Sequence, residues 1–197
     1  MLSIAVTGGL GSGKSVAMKT FYELGANILN ADDIAKNLLR VDRNIVDAIK
    51  NTFGEDCYRD SELQNAILAE RAFKSKETLN KLNAIAHPAL KAHLEKYIAA
   101  TRAVPGILIV EVAILFEAGY QNVFDKILLI TADEEIRLKR AVARQEISEE
   151  SIKERIALQM PEDEKRQYAD FIIENKGNED QLRKACVAFW EEITSSE

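Results

Sequence analysis

Thr7-Gly8-Gly9-Leu10-Gly11-Ser12-Gly13-Lys14-Ser15 decides how this chain is read. From Gly8 onward it satisfies G-x-x-x-x-G-K-[ST], the phosphate-loop signature. Glycines let the backbone take positive φ and turn successive N–H groups toward one anion. Lys14 supplies a point charge for the β and γ phosphates, and the Ser15 hydroxyl is a ligand for Mg²⁺ that arrives with the nucleotide. A helix beginning near Lys14 aims its N-terminal dipole at the same phosphates. The segment before the loop, residues 2–6 (LSIAV), is short and apolar, whereas Val16, Phe21 and Leu24 after it have helical spacing. Strand, loop and helix in that order predict a nucleoside-triphosphate site.

Outward from the loop, residues 107–112 (ILIVEV) and 126–131 (KILLIT) repeat the short apolar pattern, with weaker candidates at 26–29 and 171–173. Near-continuous apolar runs suit strands buried on both faces, as in a parallel sheet covered by helices. The last helical pattern puts Leu182, Ala185, Cys186, Phe189, Trp190 and Ile193 on one face, which reads as core. The result is an α/β fold with a parallel sheet of about five strands. Its strands are unevenly spaced. The long stretch 31–104 reads almost wholly as helix, more than a crossover needs, so it predicts an inserted helical subdomain. His87-Pro88 marks an expected break within it, and a helix is expected to begin near Ile34. Residues 133–168 are dense in mixed charge and read as a solvated helical pair. The expected division is a core of 1–30, 105–132 and 169–197, with attachments at 31–104 and 133–168.

Composition excludes several classes. The 197 residues carry 26 Lys/Arg and 32 Asp/Glu, a net charge of −6, which gives no support to nucleic-acid binding. A hydrophobic fraction of 47% with 29% charged residues argues for a folded protein rather than a disordered one. No apolar run approaches the roughly 18–20 residues of a membrane span, and the start of the chain reads as a strand rather than an export signal. Cys57 and Cys186 form no Cys-x-x-Cys pair, so a disulfide framework or cysteine zinc site is not expected. A cytoplasmic protein is the expectation. Oligomeric state has no signal in the sequence.

The loop specifies nucleotide but not its use. No Asp-x-x-Gly switch occurs, and Asn175-Lys176-Gly177-Asn178 has Asn where a guanine reader needs Asp, which counts against a GTPase. The strand at 107–111 lacks the Asp-Glu ending of ATP-driven machines. A small-molecule kinase needs an acceptor-holding subdomain and an arginine-bearing lid, and the two helical attachments supply both places. A nucleotide-binding module without catalysis is the remaining alternative.

The chain resembles the dephospho-CoA kinase family throughout. The loop is similar to the family's Thr-Gly-Gly-Ile-Gly-Ser-Gly-Lys-Ser, and Asn30-Ala31-Asp32-Asp33-Ile34-Ala35 to its Asp-Ala-Asp-x-Ile-Ala. The resemblance continues in Leu82 to Pro88, in Ala113-Ile114-Leu115-Phe116-Glu117, in Arg140 and Arg144, in Arg155-Ile156-Ala157-Leu158-Gln159, and in Ala169 to Asn175. It implies a P-loop kinase fold with an acceptor-binding insertion and a lid. It also implies ATP and Mg²⁺ as cofactors and dephospho-CoA as the small-molecule substrate, with the phosphoryl group passing to the ribose 3′-hydroxyl. A nucleoside or nucleotide acceptor is the alternative kinase reading. Three departures stand out: Asn30 for Asp, Ala113 for Pro, and Arg137 for a lid Gln.

On this reading Gly8, Gly9, Gly11, Ser12, Gly13, Lys14, Ser15, Val16, Arg140 and Arg144 bind ATP, and Ser15 meets the metal. Asp32 orients or deprotonates the acceptor hydroxyl; the competing reading makes Asp32 or Asp33 a helix cap. Lys14 and Arg140 complete the catalytic set, and His87 and Glu117 are placed with Asp32 at the substrate. Arg137, Arg140 and Arg144 share a helix face, to meet phosphates or to form surface ion pairs. Glu111, at a strand end, either holds a metal-bound water or makes a structural hydrogen bond. The turn at 175–178 is a candidate neighbour of the adenine.

Overall fold

The apolar runs become the five strands of one parallel sheet in the computed structural model, which describes residues 1–144, 150, 152, 153, 156 and 159–195. β1 (Leu2–Thr7), β2 (Asn27–Asn30), β5 (Ile107–Glu111), β6 (Lys126–Thr131) and β7 (Phe171–Glu174) lie in the order β2-β5-β1-β6-β7. Ile4 stands opposite Ile109 on one side and Lys126 on the other. Ile4, Ala5, Val6, Ile109 and Leu128 are fully buried, as central strands covered on both faces must be. Because the chain passes from β1 to β2 beyond β5, and later to β6 on the other side, the strand order reverses around β1. Ligands of open α/β sheets collect at such a point, outside the carboxyl ends of the strands.

One face is covered by α1 (Lys14–Glu23) and α8 (Glu179–Ser195). Leu182, Cys186, Phe189 and Ile193 are buried there, with Ala185 and Trp190 packed against them, so the helical spacing read in the sequence is the packed face. The Phe189 ring meets Phe21 and Phe171 edge-on, at centroid distances of 5.7 and 5.1 Å. α6 (Glu134–Arg144) follows β6, and α7 (Glu162–Tyr168) packs on β6 before β7. Both cysteines are free and buried.

The amino-terminal edge of the sheet is locked by Asp125. Its Oδ2 accepts from Ser3 N at 2.8 Å and Ser3 Oγ at 2.6 Å, and Arg102 pairs with the same oxygen. Burial alone would raise this carboxyl, but the hydrogen bonds from Arg102 and Ser3 outweigh it and hold the group at about 2, against an ordinary 3.8. A depressed folded value means that the stabilisation is present above the unfolded value and is lost as pH falls through the folded one. Asp125→Ala is expected to cost about 2–3 kcal/mol near neutral pH. The difference from wild type should shrink between about pH 4 and pH 2, as read by urea unfolding at several pH values.

The chain divides into two compact units: Met1–Asn30 with Thr101–Glu197, which carries the sheet, and Ala31–Ala100. The second contains α2 (Ala31–Val41), α3 (Arg43–Phe53), β3 (Tyr58–Arg59), β4 (Glu62–Leu63), α4 (Asn65–Ala72) and α5 (Lys76–Thr101). Asp42 caps α3 by accepting from Asn44 N and Ile45 N at 3.0 and 3.2 Å. Arg71 forks onto Asp56 at 2.7 and 2.6 Å, tying α4 to the turn after α3.

Four expectations are corrected. The insertion is not wholly helical: β3 and β4 form a hairpin whose two-residue turn, Asp60-Ser61, has φ of 51° and 67°. Positive φ at both positions gives a primed turn without the Asn-Gly that usually announces one. His87-Pro88 does not break α5, which runs through Pro88 for 26 residues. A proline removes one helical hydrogen bond, but Leu90, Leu94 and Ile98 bury the helix beyond it and hold it in register. α2 begins at Ala31, not near Ile34, so Asp32 and Asp33 lie in its first turn rather than at its cap. The charged stretch 133–168 is not wholly solvated: Arg137, Ala141, Ile152 and Lys165 are buried.

Candidate active site

The loop between β1 and α1 takes the shape that its glycines permit. Gly8, Gly11 and Gly13 have φ of 149°, 81° and 107°. A side chain on Gly8 would overlap the Ile130 carbonyl, one on Gly11 the Arg137 carbonyl, and one on Gly13 the Asn175 amide. The loop is therefore pressed between β6, α6 and the turn after β7. Ser12 N donates to Gly9 O at 3.1 Å, and Gly13 O accepts from Val16 N and Ala17 N to start α1. Lys14 Nζ lies over the loop, donating to Gly8 O at 2.8 Å and Gly9 O at 3.3 Å. Ser12 is fully buried, and its hydroxyl meets no hydrogen-bond partner among the described residues. Four features converge at the carboxyl end of β1: an ammonium, a helix N-terminus, a buried hydroxyl and a run of amides. That arrangement holds a polyphosphate.

Arg140 is anchored beside the loop. Its Nη1 donates to Asn175 O at 3.2 Å, and its Nη2 to Gly177 O at 2.6 Å. Asn175 in turn donates from Nδ2 to Ser12 O at 2.8 Å. α6, the β7–α8 turn and the phosphate loop are thus one hydrogen-bonded unit. They enclose a cavity of about 200 Å³ lined by Gly11, Val16, Arg140, Asn175, Gly177 and Leu182. Its lining combines the apolar side chains of Val16 and Leu182 with polar groups of Arg140 and Asn175, which suits a purine base. Arg144 is the last residue of α6, and its side chain lies outside the described residues, as do Arg155, Ala157 and Leu158.

Arg137 is not a surface residue. It is 5% exposed, donates from Nε to Ala132 O at 3.1 Å, and lies 3.8 Å from Glu162 Oε1. Glu117 accepts from Met160 N at 2.7 Å and pairs with buried Lys165 at 3.5 Å. Glu111 Oε2 accepts from Asn30 Nδ2 at 3.1 Å, across the register that sets these two residues side by side. An Asp at position 30 would place two carboxylates there, so Asn30 relieves a like-charge contact.

The second unit carries Asp32 and His87. Asp32 is exposed, two residues beyond the carboxyl end of β2. His87 is half-buried on α5, and burial holds its imidazole below the usual value. It is therefore neutral at pH 7, and unfolding restores the ordinary proton affinity. Stability is present above the unfolded value of about 6.5 and is lost as pH falls below it. His87→Asn is expected to lose less melting temperature than wild type between about pH 7 and pH 5.5.

The donor set fits a metal that comes with its nucleotide. No group of three His, Cys, Asp or Glu side chains among the described residues could cage one, and the exposed Ser15 hydroxyl in the first turn of α1 is a hard oxygen suited to Mg²⁺. No helix among the described residues is long and apolar enough to cross a membrane.

Sequence comparison decides the family. The dephospho-CoA kinase family model matches residues 2–181. The chain belongs to the dephospho-CoA kinase family. It is 32% identical to the dephospho-CoA kinase of Corynebacterium diphtheriae over 197 residues, covering 99% of this chain and 98% of the relative. It is 34% identical to that of Aquifex aeolicus over 195 residues, covering 98% of each. The dephospho-CoA kinase from Campylobacter jejuni superposes with a TM-score of 0.77 at 28% identity, over 98% of each chain. Membership makes the chain a phosphotransferase with ATP as a substrate, and the fold is that of the P-loop kinases.

Sequence reasoning missed the residues that brace the loop. Gly9 N donates to Glu162 Oε1 at 3.0 Å, and Leu10 N to Gln159 Oε1 at 3.1 Å. Gln159 was visible only as the end of a motif, and Glu162 sits among other acids with nothing to single it out.

Proposed function

We propose that the chain transfers the γ-phosphoryl group of ATP to the 3′-hydroxyl of the ribose of dephospho-CoA, giving ADP and CoA. The observation that carries this reading is the phosphate loop at the carboxyl end of β1, with Lys14 over it, in a chain matched by the family model from residue 2 to 181. Gly8 to Val16 hold the triphosphate, and the pocket beside Arg140 and Asn175 takes the adenine. Ser15 is the residue that would meet Mg²⁺ arriving with ATP, which would supply neutralisation of the phosphate charge.

Phosphoryl transfer passes through a loose transition state, so in-line positioning and charge neutralisation do most of the work. Asp32 is assigned to the acceptor hydroxyl, accepting its hydrogen bond and taking its proton as the oxygen–phosphorus bond forms. Lys14, Arg140 and Arg144 offset the charge on the transferred group. Residues 31–104 are assigned to the acceptor, with His87 among its contacts, and residues 133–168 to the lid. Glu117, bonded to Met160 N, acts at the junction of core and lid. A cytoplasmic setting is part of the same reading, supported by two cysteines that remain free.

The test is the product. After incubation with ATP, Mg²⁺ and dephospho-CoA, mass spectrometry and phosphorus NMR should find a new phosphomonoester on the ribose 3′-oxygen. Phosphate on any other oxygen, or none transferred, would reject the assignment.

A further inference from the structure

The phosphate loop has two halves with different partners. Gly9 N and Leu10 N donate to Glu162 and Gln159, side chains from α7 and the turn before it. Gly11 N, Gly13 N and Ser15 N donate to no described residue, and the Lys14 ammonium lies on the Gly8 and Gly9 carbonyls of the same loop. The first half is satisfied by protein side chains, while the amides of the second half, on residues that are half-buried or exposed, are open to an anion. Glu162 is 15% exposed, its Oε1 faces the Arg137 guanidinium at 3.8 Å, and its Oε2 has no hydrogen-bond partner among the described residues.

Arg137 sits on the same two glycines. A side chain on Gly9 would collide with its guanidinium and with the Glu162 carboxylate, and one on Gly11 with its carbonyl. Arg137 comes from the start of α6 and Glu162 from the start of α7, the described helices on either side of 145–158. The pair therefore joins the two ends of that excursion at Gly9. The turn presenting Gln159 and Glu162 is itself held, because Glu117 Oε1 accepts from Met160 N at 2.7 Å and pairs with Lys165, which is fully buried. Glu117 lies in the segment after β5, and α7, which carries Lys165, packs on β6.

We propose that Glu162 and Arg137 are positioning residues that latch the first half of the phosphate loop, so that the amides of its second half are pre-set for the nucleotide. This rests on the assignment of ATP to the loop, not on the identity of the acceptor. The latch touches no reacting atom. It acts by lowering the cost of ordering the loop when ATP binds, which appears as affinity rather than as chemistry.

The experiment measures ATP affinity by calorimetry without acceptor, turnover at saturating ATP with dephospho-CoA, and melting temperature without nucleotide. The variants are E162A, E162Q, R137Q and the double variant R137Q/E162A. E162A should weaken ATP about tenfold, the loss of one charge-assisted hydrogen bond, while turnover at saturation stays within about threefold. E162Q keeps an oxygen for Gly9 N and should fall between E162A and wild type. R137Q should weaken ATP severalfold, and the double variant should bind about as weakly as E162A, because the two residues act on one element. Wild-type affinity in E162A and R137Q would overturn the proposal. So would a fall in turnover at unchanged affinity, which would put these groups on the transferred phosphate, or fully additive losses. If E162A fails to fold, E162Q and R137Q are judged by the same criteria. A wild-type chain that binds ATP but phosphorylates no dephospho-CoA would sink the acceptor assignment and leave this comparison standing.

Discussion

Lys14→Ala is expected to cut turnover by at least about 100-fold and to weaken ATP as well. The ammonium lies 2.8 Å from Gly8 O and 3.3 Å from Gly9 O, so its charge is fixed over the loop by the loop's own carbonyls. A charge held there meets the phosphates in the ground state and meets them more strongly as charge shifts during transfer, so KM and kcat should both move. Alanine leaves the loop carbonyls without their donor and the phosphates without a counter-charge. Steady-state kinetics against ATP decide the matter, with Tm as the control for folding. A variant with near-normal kcat would mean that the loop does not hold the reacting phosphates.

Asp32→Asn should separate binding from chemistry. The residue is exposed and lies in the first turn of α2, which begins at Ala31, so it does not occupy the cap position. Asparagine keeps the size and one hydrogen-bonding oxygen but cannot take a proton. ATP affinity is expected to stay within about threefold, while kcat falls by about 100- to 10,000-fold, the usual range for loss of a general base. Were Asp32 only a partner of the α2 dipole, the change would appear as about 0.3–1 kcal/mol of stability with kcat intact. Tm and single-turnover rates measured on the same preparation distinguish these outcomes.

Much of this architecture was legible because short apolar runs have few other uses. Residues 2–6, 107–112 and 126–131 are too short and too β-branched for helices, and they became the three central strands. The loop was legible for a similar reason: glycine at positions 8, 11 and 13 answers a steric demand that the structure makes explicit at Ile130, Arg137 and Asn175. Charge was the poor guide. Mixed charges over 133–168 suggested solvent, yet Arg137 and Lys165 are buried because each has a carboxylate, Glu162 or Glu117, brought to it by the tertiary fold. Periodicity cannot announce such pairs, since the partners are 25 and 48 residues apart in sequence. The break expected at Pro88 failed for a related reason. A local preference was outweighed by the burial of Leu90, Leu94 and Ile98 farther along the same helix.

The most direct test of the account is ADP release from ATP and Mg²⁺ with dephospho-CoA, set against a panel of nucleosides and against no acceptor. The account predicts release that depends on dephospho-CoA and forms CoA in equal amount. Faster release with a nucleoside, or release indifferent to any acceptor, would contradict it.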